Sequence, residues 1–214
     1  MTQDTIFTLS GMGSTKTSEK GSRFYTFCFP VWSQEEIDRH LAEIKSRYAD
    51  ATHHCYAWRL DPSSAKEFAQ DDGEPSGTAG LPILHTLASE QLFYSLIIVV
   101  RYFGGTKLGK PGLIQAYRHA AESVLADIEK KVICKTKTFH IQYPYTQENR
   151  IRELKKTYRL MTHNESFMDV VTITVFCRTD DAIKLEHTLN HLKHVDITFT
   201  ADSSGYQIFD PGQN

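Results

Sequence analysis

The stretch from Asp71 to Leu113 constrains this chain more than any other. It sets DDGEPSGTAG (Asp71 to Gly80) and RYFGGTKLGKPGL (Arg101 to Leu113) on either side of one apolar run, Leu92 to Val100. Seven glycines and two prolines lie in these two loops. An ordinary connection needs one or two such residues, because glycine weakens regular structure and is kept where the backbone takes φ > 0 or approaches something closely. Two such loops flanking one strand read as a built surface rather than two incidental turns. The second loop leaves a β-branched strand, carries Arg101, Lys107 and Lys110, and opens into an apolar-periodic helix. Backbone N–H groups, cations and a helix N-terminus then converge, which suits an anion such as phosphate. The alternative is a pair of packing turns with solvated cations. No phosphate fingerprint decides between them: Gly104-Gly105 and Gly109 lack Walker spacing, and Gly11 and Gly13 lack a preceding strand.

Further along, DDGEPSGTAG followed by VVRYFGGTKLG resembles the signature pair of the YigZ/IMPACT family. Gly21-Ser22-Arg23-Phe24 and His54-Cys55-Tyr56-Ala57 echo the same pattern. The resemblance covers roughly residues 15 to 130, and the remainder fits the small C-terminal domain of bacterial members. It implies an α+β protein. Its N-terminal domain, residues 1–133, would be a left-handed βαβ domain resembling elongation factor G domain IV. The second, 138–208, would be a ferredoxin-like βαββαβ domain resembling domain V. It also implies that Asp71, Asp72, Gly73, Glu74, Pro75, Ser76, Gly77 and Thr78 form the main surface feature. Two departures matter. Leu81 stands where members usually carry a basic residue, which removes one phosphate contact. Lys110-Pro111 replaces a Thr-Gly or similar pair, adding a charge and a proline suited to a first helical turn.

Composition sets the remaining bounds. At 214 residues the chain is long enough for a real core in one large or two small domains. A net charge of −2 gives no global pull toward nucleic acid or membrane. Residues 1–130 carry thirteen Lys+Arg against sixteen Asp+Glu, so any polyanion must meet a local patch. No apolar run reaches the ~20 residues that span a bilayer, and the polar N-terminus lacks a signal-peptide core. Cys28, Cys55, Cys134 and Cys177 form no CxxC pair, which points to reduced cysteines. The chain reads as a soluble cytoplasmic protein without a membrane partner.

Hydrophobic periodicity orders the elements. Met1 to Gly21 reads as a mobile leader or one short edge strand, and Arg23 to Phe29 as a strand. Ser33-x-x-Glu36 is a capping box opening a helix with Ile37, Leu41, Ile44 and Tyr48 inward. His54 to Leu60 is a strand, Asp61 to Gln70 a polar excursion, and Leu81 to Leu87 a short packed segment. Phe93 to Tyr102 is a buried strand, and Gly112 to Ile128 a helix. Lys131 to Lys137 reads as a polar bridge between domains. Beyond it come strand 138–143, helix 147–158, strands 160–165 and 170–177, helix 180–192 and strand 196–200, the split βαββαβ pattern.

Several chemistries are open to these residues. Asp71, Asp72 and Glu74 could hold Mg²⁺ or Ca²⁺, or act as acid and base. The plainer reading, which we favour, has one aspartate capping a turn and another pairing with Arg23 or Arg101. His187 and His191 share a helix face at zinc spacing, yet they lack an acidic base and flank an amphipathic stripe. With His53 and His54 they are expected as ordinary histidines. Ser76 and Thr78 have no base assigned to them. Arg150, Arg152, Lys155, Lys156 and Arg159 must face outward if Ile151, Leu154 and Tyr158 are buried, giving either a solvated face or an RNA-backbone contact. The expected anion or nucleic-acid site comprises Arg23, Arg101, Gly104, Gly105, Lys107, Lys110 and Gly112, with the acidic loop as its opposing wall.

No cofactor or bound metal is expected. The resemblance implies a non-enzymatic regulator of translation or stress response acting through RNA, the ribosome or a protein partner. Eukaryotic relatives compete for a regulator of an amino-acid-sensing kinase. The rival expectation is a metal-dependent hydrolase or phosphoesterase acting on a phosphorylated metabolite or nucleotide between the two loops.

Overall fold

The computed structural model describes residues 6–64 and 66–208. These form two compact units divided between Val132 and Ile133.

The first unit is built on a five-stranded sheet in the order β2-β3-β6-β4-β5. Its strands are β2 (Gly13–Glu19), β3 (Ser22–Pro30), β4 (His53–Arg59), β5 (Glu67–Gln70) and β6 (Ser95–Tyr102). Every neighbouring pair is antiparallel. β3 and β4 are therefore parallel to each other, joined by helix α1 (Gln34–Arg47), with β6 inserted between them. A short strand β1 (Ile6–Leu9) precedes them and is tied by Phe7 N–H to Gln91 O at 3.0 Å.

Alternation on the central strand allots each face its helices. Leu96, Ile98 and Val100 pack with Ile37 and Ile44 of α1, together with Phe27, Phe29 and Trp58. Ile97 and Val99 pack the other way, against α2 (Gly80–Ser89) and α3 (Gly109–Leu125) through Ile83, Leu87, Leu113, Tyr117 and Ala121. A strand buried on both faces reads as an unbroken apolar run, which is why β6 shows no polar alternation. Arg101 falls on the α2/α3 side by the same period-two rule, and this decides its chemistry.

The second unit contains β7 (Lys130–Tyr143), α4 (Glu148–Thr157), β8 (Met161–Phe167), β9 (Val171–Arg178), α5 (Thr179–His191) and β10 (Thr198–Ile208). Its strands run β10-β7-β9-β8, all antiparallel, the ferredoxin-like order expected of βαββαβ. Ile151 and Leu154 of α4 and Leu185 and Leu189 of α5 close its core over Phe139, Ile141, Ile173 and Val175.

Four local expectations change. The Ser/Thr-rich leader forms β1 and β2, and β2 pairs with β3 through its full length. An edge strand with one exposed face needs no apolar alternation, so its signal is weak. Glu67–Gln70 is a fifth strand within the polar excursion. Leu81 to Leu87 lies in a helix, because Pro82 sits in the first turn where no intrahelical partner is lost. Lys131 to Lys137 is not an irregular bridge but the opening half of β7, pairing with β10.

Candidate functional site

The acidic loop spans the gap between β5 and α2. Asp71 acts as a local cap: its Oδ1 accepts the N–H groups of Ala79 (3.0 Å) and Gly80 (2.8 Å), and its Oδ2 that of Gly77 (2.8 Å). Gly80 N–H is an orphan donor at the start of α2, whose Ala79 cap has no side-chain acceptor of its own, and Gly77 and Ala79 lie in the turn leading into it. Gly80 is required here because a Cβ would meet Gln70 N at 2.6 Å. Asp72 turns the other way. Its Oδ2 accepts His54 N–H at 2.7 Å, while its carbonyl accepts a hydrogen bond from His53 Nδ1 at 2.8 Å. Thr78 Oγ1 donates to Pro75 O at 2.6 Å, and Ser76 is exposed.

Glu74 points inward and is 8% exposed. Its Oε1 accepts from Arg101 Nη1 at 2.5 Å and from Tyr117 Oη at 2.7 Å. Arg101 Nη2 donates to Ser22 Oγ at 3.2 Å, which also accepts Gly104 N–H at 3.3 Å. Cys55 Sγ lies 3.3 Å from Tyr117 Oη and 3.0 Å from Asp71 O. A continuous chain of contacts thus runs from the acidic loop through α3 and β6 to the turn after β2 and the glycine loop. Burial, reinforced by Cys55 and Glu74, holds the Tyr117 phenol far above its ordinary range. Burial likewise raises the Cys55 thiol, and the Glu74, Asp72 and Asp71 carboxylates add to that. Both groups stay protonated, so they serve as donors and not as nucleophiles.

The glycine loop presents a different surface. Phe103, Gly104, Gly105, Thr106, Lys107 and Lys110 are exposed, and Gly112 lies half-buried in the first turn of α3. Gly104 is held backbone-on-backbone against Gly21: a Cβ there would come within 1.9 Å of Gly21 C. Arg23 is exposed on β3, its guanidinium 5.0 Å from the Tyr102 ring centroid. Lys107, Lys110 and Arg23 form no ion pair among the described residues. Arg101, by contrast, is 4% exposed and engaged by Glu74, so its charge is neutralised beneath the loop rather than offered at its surface.

Of the anion-site residues, the structure thus brings Gly104, Gly105, Lys107, Lys110 and Gly112 together in one exposed segment. Arg101 lies under it, and Arg23 lies on the sheet's α1 side. The three acidic-loop carboxylates diverge to separate internal partners. Among the described residues, no three His, Cys, Asp or Glu side chains converge in a metal-holding group. His54 Nε2 donates to Tyr48 O at 3.1 Å and pairs with neither Ser76 nor Thr78. His187 and His191 are exposed on α5 with ring centroids 4.2 Å apart. On α4, Lys155 pairs with Glu165 and Arg152 approaches Glu148 at 3.9 Å, whereas Arg150, Lys156 and, just past the helix, Arg159 are exposed. No local pattern in the sequence ties Ser22, His53, Cys55 or Tyr117 to the acidic loop. Cys55 and Tyr117 sit in apolar patterns that read only as core, and no local spacing links them to Glu74.

All members of this network, Ser22 to Tyr117, fall inside residues 20–125, the segment matched by the model of the Impact N-terminal domain. The IMPACT family member YvyE of Bacillus subtilis is 30% identical across 89% of this chain and 98% of its own length. The chain belongs to the IMPACT family. An IMPACT family member of Haemophilus influenzae is 33% identical over 69% of this chain and 73% of its own, and Escherichia coli YigZ is 32% identical over 63% and 67%. A crystal structure of a hypothetical protein superposes with a TM-score of 0.67 at 24% identity, over 93% of this chain and 98% of that one, which shows a shared fold. Within the IMPACT frame the signature residues have a physical reading: one loop braces the domain and the other is held up by it. No helix among the described residues is long and apolar enough to cross a membrane.

Proposed function

We propose that this IMPACT family member is a non-enzymatic, cytoplasmic binding protein that regulates translation or a stress response. It acts through RNA, the ribosome or a protein partner, and RNA is the partner that its exposed cations favour. The observation that carries this reading is the contrast between the two signature loops. Asp71, Asp72 and Glu74 are engaged by backbone N–H groups, Arg101 and Tyr117, while Lys107 stands exposed on a loop braced from below and Lys110 beside it in the first turn of α3. A braced loop with free cations loses little conformational entropy on meeting a phosphate backbone, which favours binding. The exposed cations Arg150, Lys156 and Arg159 on the second unit support the same partner class.

Fluorescence anisotropy with short labelled RNAs and co-sedimentation with ribosomes, each in a salt series, test this reading. Association that weakens steeply with salt is expected. Absence of salt-sensitive association with both removes RNA and the ribosome as partners. Metal-dependent turnover of phosphate esters or nucleotides, lost in Asp72→Asn and Glu74→Gln, would overturn the non-enzymatic assignment.

A further inference from the structure

The sheet's α1 face carries a second polar feature at the end that α1 leaves uncovered. Cross-strand register puts Lys16 opposite Tyr25 and Arg23 opposite Tyr102, all four on this face. The last turn of α1 adds Arg47, followed by Tyr48. Each cation lies over a ring: Lys16 Nζ is 5.3 Å from the Tyr25 centroid, the Arg23 guanidinium 5.0 Å from Tyr102 and that of Arg47 5.6 Å from Tyr48. The rings touch in turn, Tyr25 to Tyr102 at 5.8 Å and Tyr25 to Tyr48 at 5.6 Å.

Two facts set this patch apart from an ordinary charged surface. The first unit is acidic overall, and its Arg59, Arg101 and Lys130 are paired with Glu67, Glu74 and Glu90. Lys16, Arg23 and Arg47 are exposed and form no ion pair among the described residues. The acid beside them, Asp50, accepts the Tyr102 hydroxyl at 2.6 Å and pairs with none of the three. Three unpaired cations draw a polyanion, and flat guanidinium and phenol groups next to them offer stacking area. Phosphates alone would need only the charge. An acidic peptide would not need a ring beneath every cation.

We infer that this face binds single-stranded RNA, with Lys16, Arg23 and Arg47 on the backbone and the tyrosine-backed guanidiniums as stacking platforms for bases. The inference rests on the RNA reading proposed above and adds a second contact surface to that of the Gly104–Gly112 loop. Single strands are the fitting form, because bases in a duplex are not free to stack on side chains.

The test is anisotropy of labelled oligouridylate against the full chain and two exposed-site variants. The triple variant Lys16→Gln, Arg23→Gln, Arg47→Gln is expected to weaken binding at least about tenfold and to lower the log–log salt slope by about 2. Arg23→Lys keeps the charge but loses the flat stacked group, so affinity should fall severalfold at unchanged slope. Circular dichroism and thermal unfolding confirm that each variant is folded. If the native chain binds RNA and the triple variant matches it in affinity and slope, this surface is not the site and the RNA reading survives. A native chain that fails to bind RNA at low salt overturns both. Equal competition by oligoglutamate and unlabelled oligouridylate would assign the face to an acidic protein segment and overturn the inference.

Discussion

The two signature loops are both glycine-rich but carry opposite charge, and they differ in where they send it. From Asp71 to Gly80 the polar groups turn inward: Asp71 caps α2, Asp72 ties to β4, and Glu74 closes a buried pair with Arg101. From Phe103 to Gly112 the side-chain charges turn outward, and the loop is fastened through its backbone, Phe103 N–H to Thr52 Oγ1 and Gly104 against Gly21 and Ser22. A family signature therefore need not be a reaction centre. Half of this one is a brace beneath the other half, which stands exposed to solvent. The lesson extends to Arg101, whose place beside Lys107 in sequence invites a shared role, while strand alternation sends it to the protein's interior.

The sharpest way to break this comparison is to unpair the brace. Glu74→Ala leaves a guanidinium buried beside an empty carboxylate position, and a loss of about 3 to 5 kcal/mol is expected in urea unfolding. Replacing both partners, Glu74→Leu with Arg101→Met, should recover most of that loss, since apolar groups of similar volume remove the unpaired charge. Failure of the double variant to recover would mean that the polar chain through Ser22 and Tyr117 matters more than the pair. Asp71→Ala comes next, at about 1 to 2 kcal/mol, because three backbone donors in the turn leading into α2 lose their acceptor.

How much of this was legible follows from period and partner. The α1 boundary was readable because its signal is local: Ser33 Oγ does accept Glu36 N–H at 3.3 Å. The βαββαβ order of the second unit was readable because each element alternates or repeats over its own length. A turn-capping aspartate was legible, as Asp71 shows, but the ion pair was expected of a second aspartate, whereas Glu74 is the acid that pairs with Arg101 and Asp72 accepts His54 N–H instead. β2, β5 and α2 were obscured because edge strands and a proline-bearing first turn carry little periodic signal. The Cys55–Tyr117–Glu74 contacts were invisible because they join residues far apart in sequence. No spacing rule reaches that far.

Smaller effects sharpen the contrast. Lys107→Ala with Lys110→Ala should change stability by no more than about 0.5 kcal/mol, as exposed substitutions do. The same variant should lower the salt slope of RNA binding by about 1 to 1.5. Alkaline pH probes the interior. Burial raises the Cys28 thiol from 9.0 to about 11, so the folded state holds its proton more tightly than the unfolded chain. Its contribution is complete below pH ~9 and falls away as pH rises toward ~11, which unfolding midpoints across that range will show. Cys28, Cys55 and Cys177 are buried and Cys134 is half-buried, so one thiol should react readily with a disulfide reagent in the folded state. Rapid labelling of more than one would contradict the packed sheet.

The most direct test measures unfolding free energy and RNA affinity side by side for two variants, Glu74→Leu/Arg101→Met and Lys107→Ala/Lys110→Ala. The first is expected to keep RNA affinity within about twofold once folded, because Arg101 makes no surface contact, while the second keeps stability and loses affinity and salt slope. Loss of RNA binding in the folded Glu74→Leu/Arg101→Met variant, with full binding by Lys107→Ala/Lys110→Ala, would contradict this expectation.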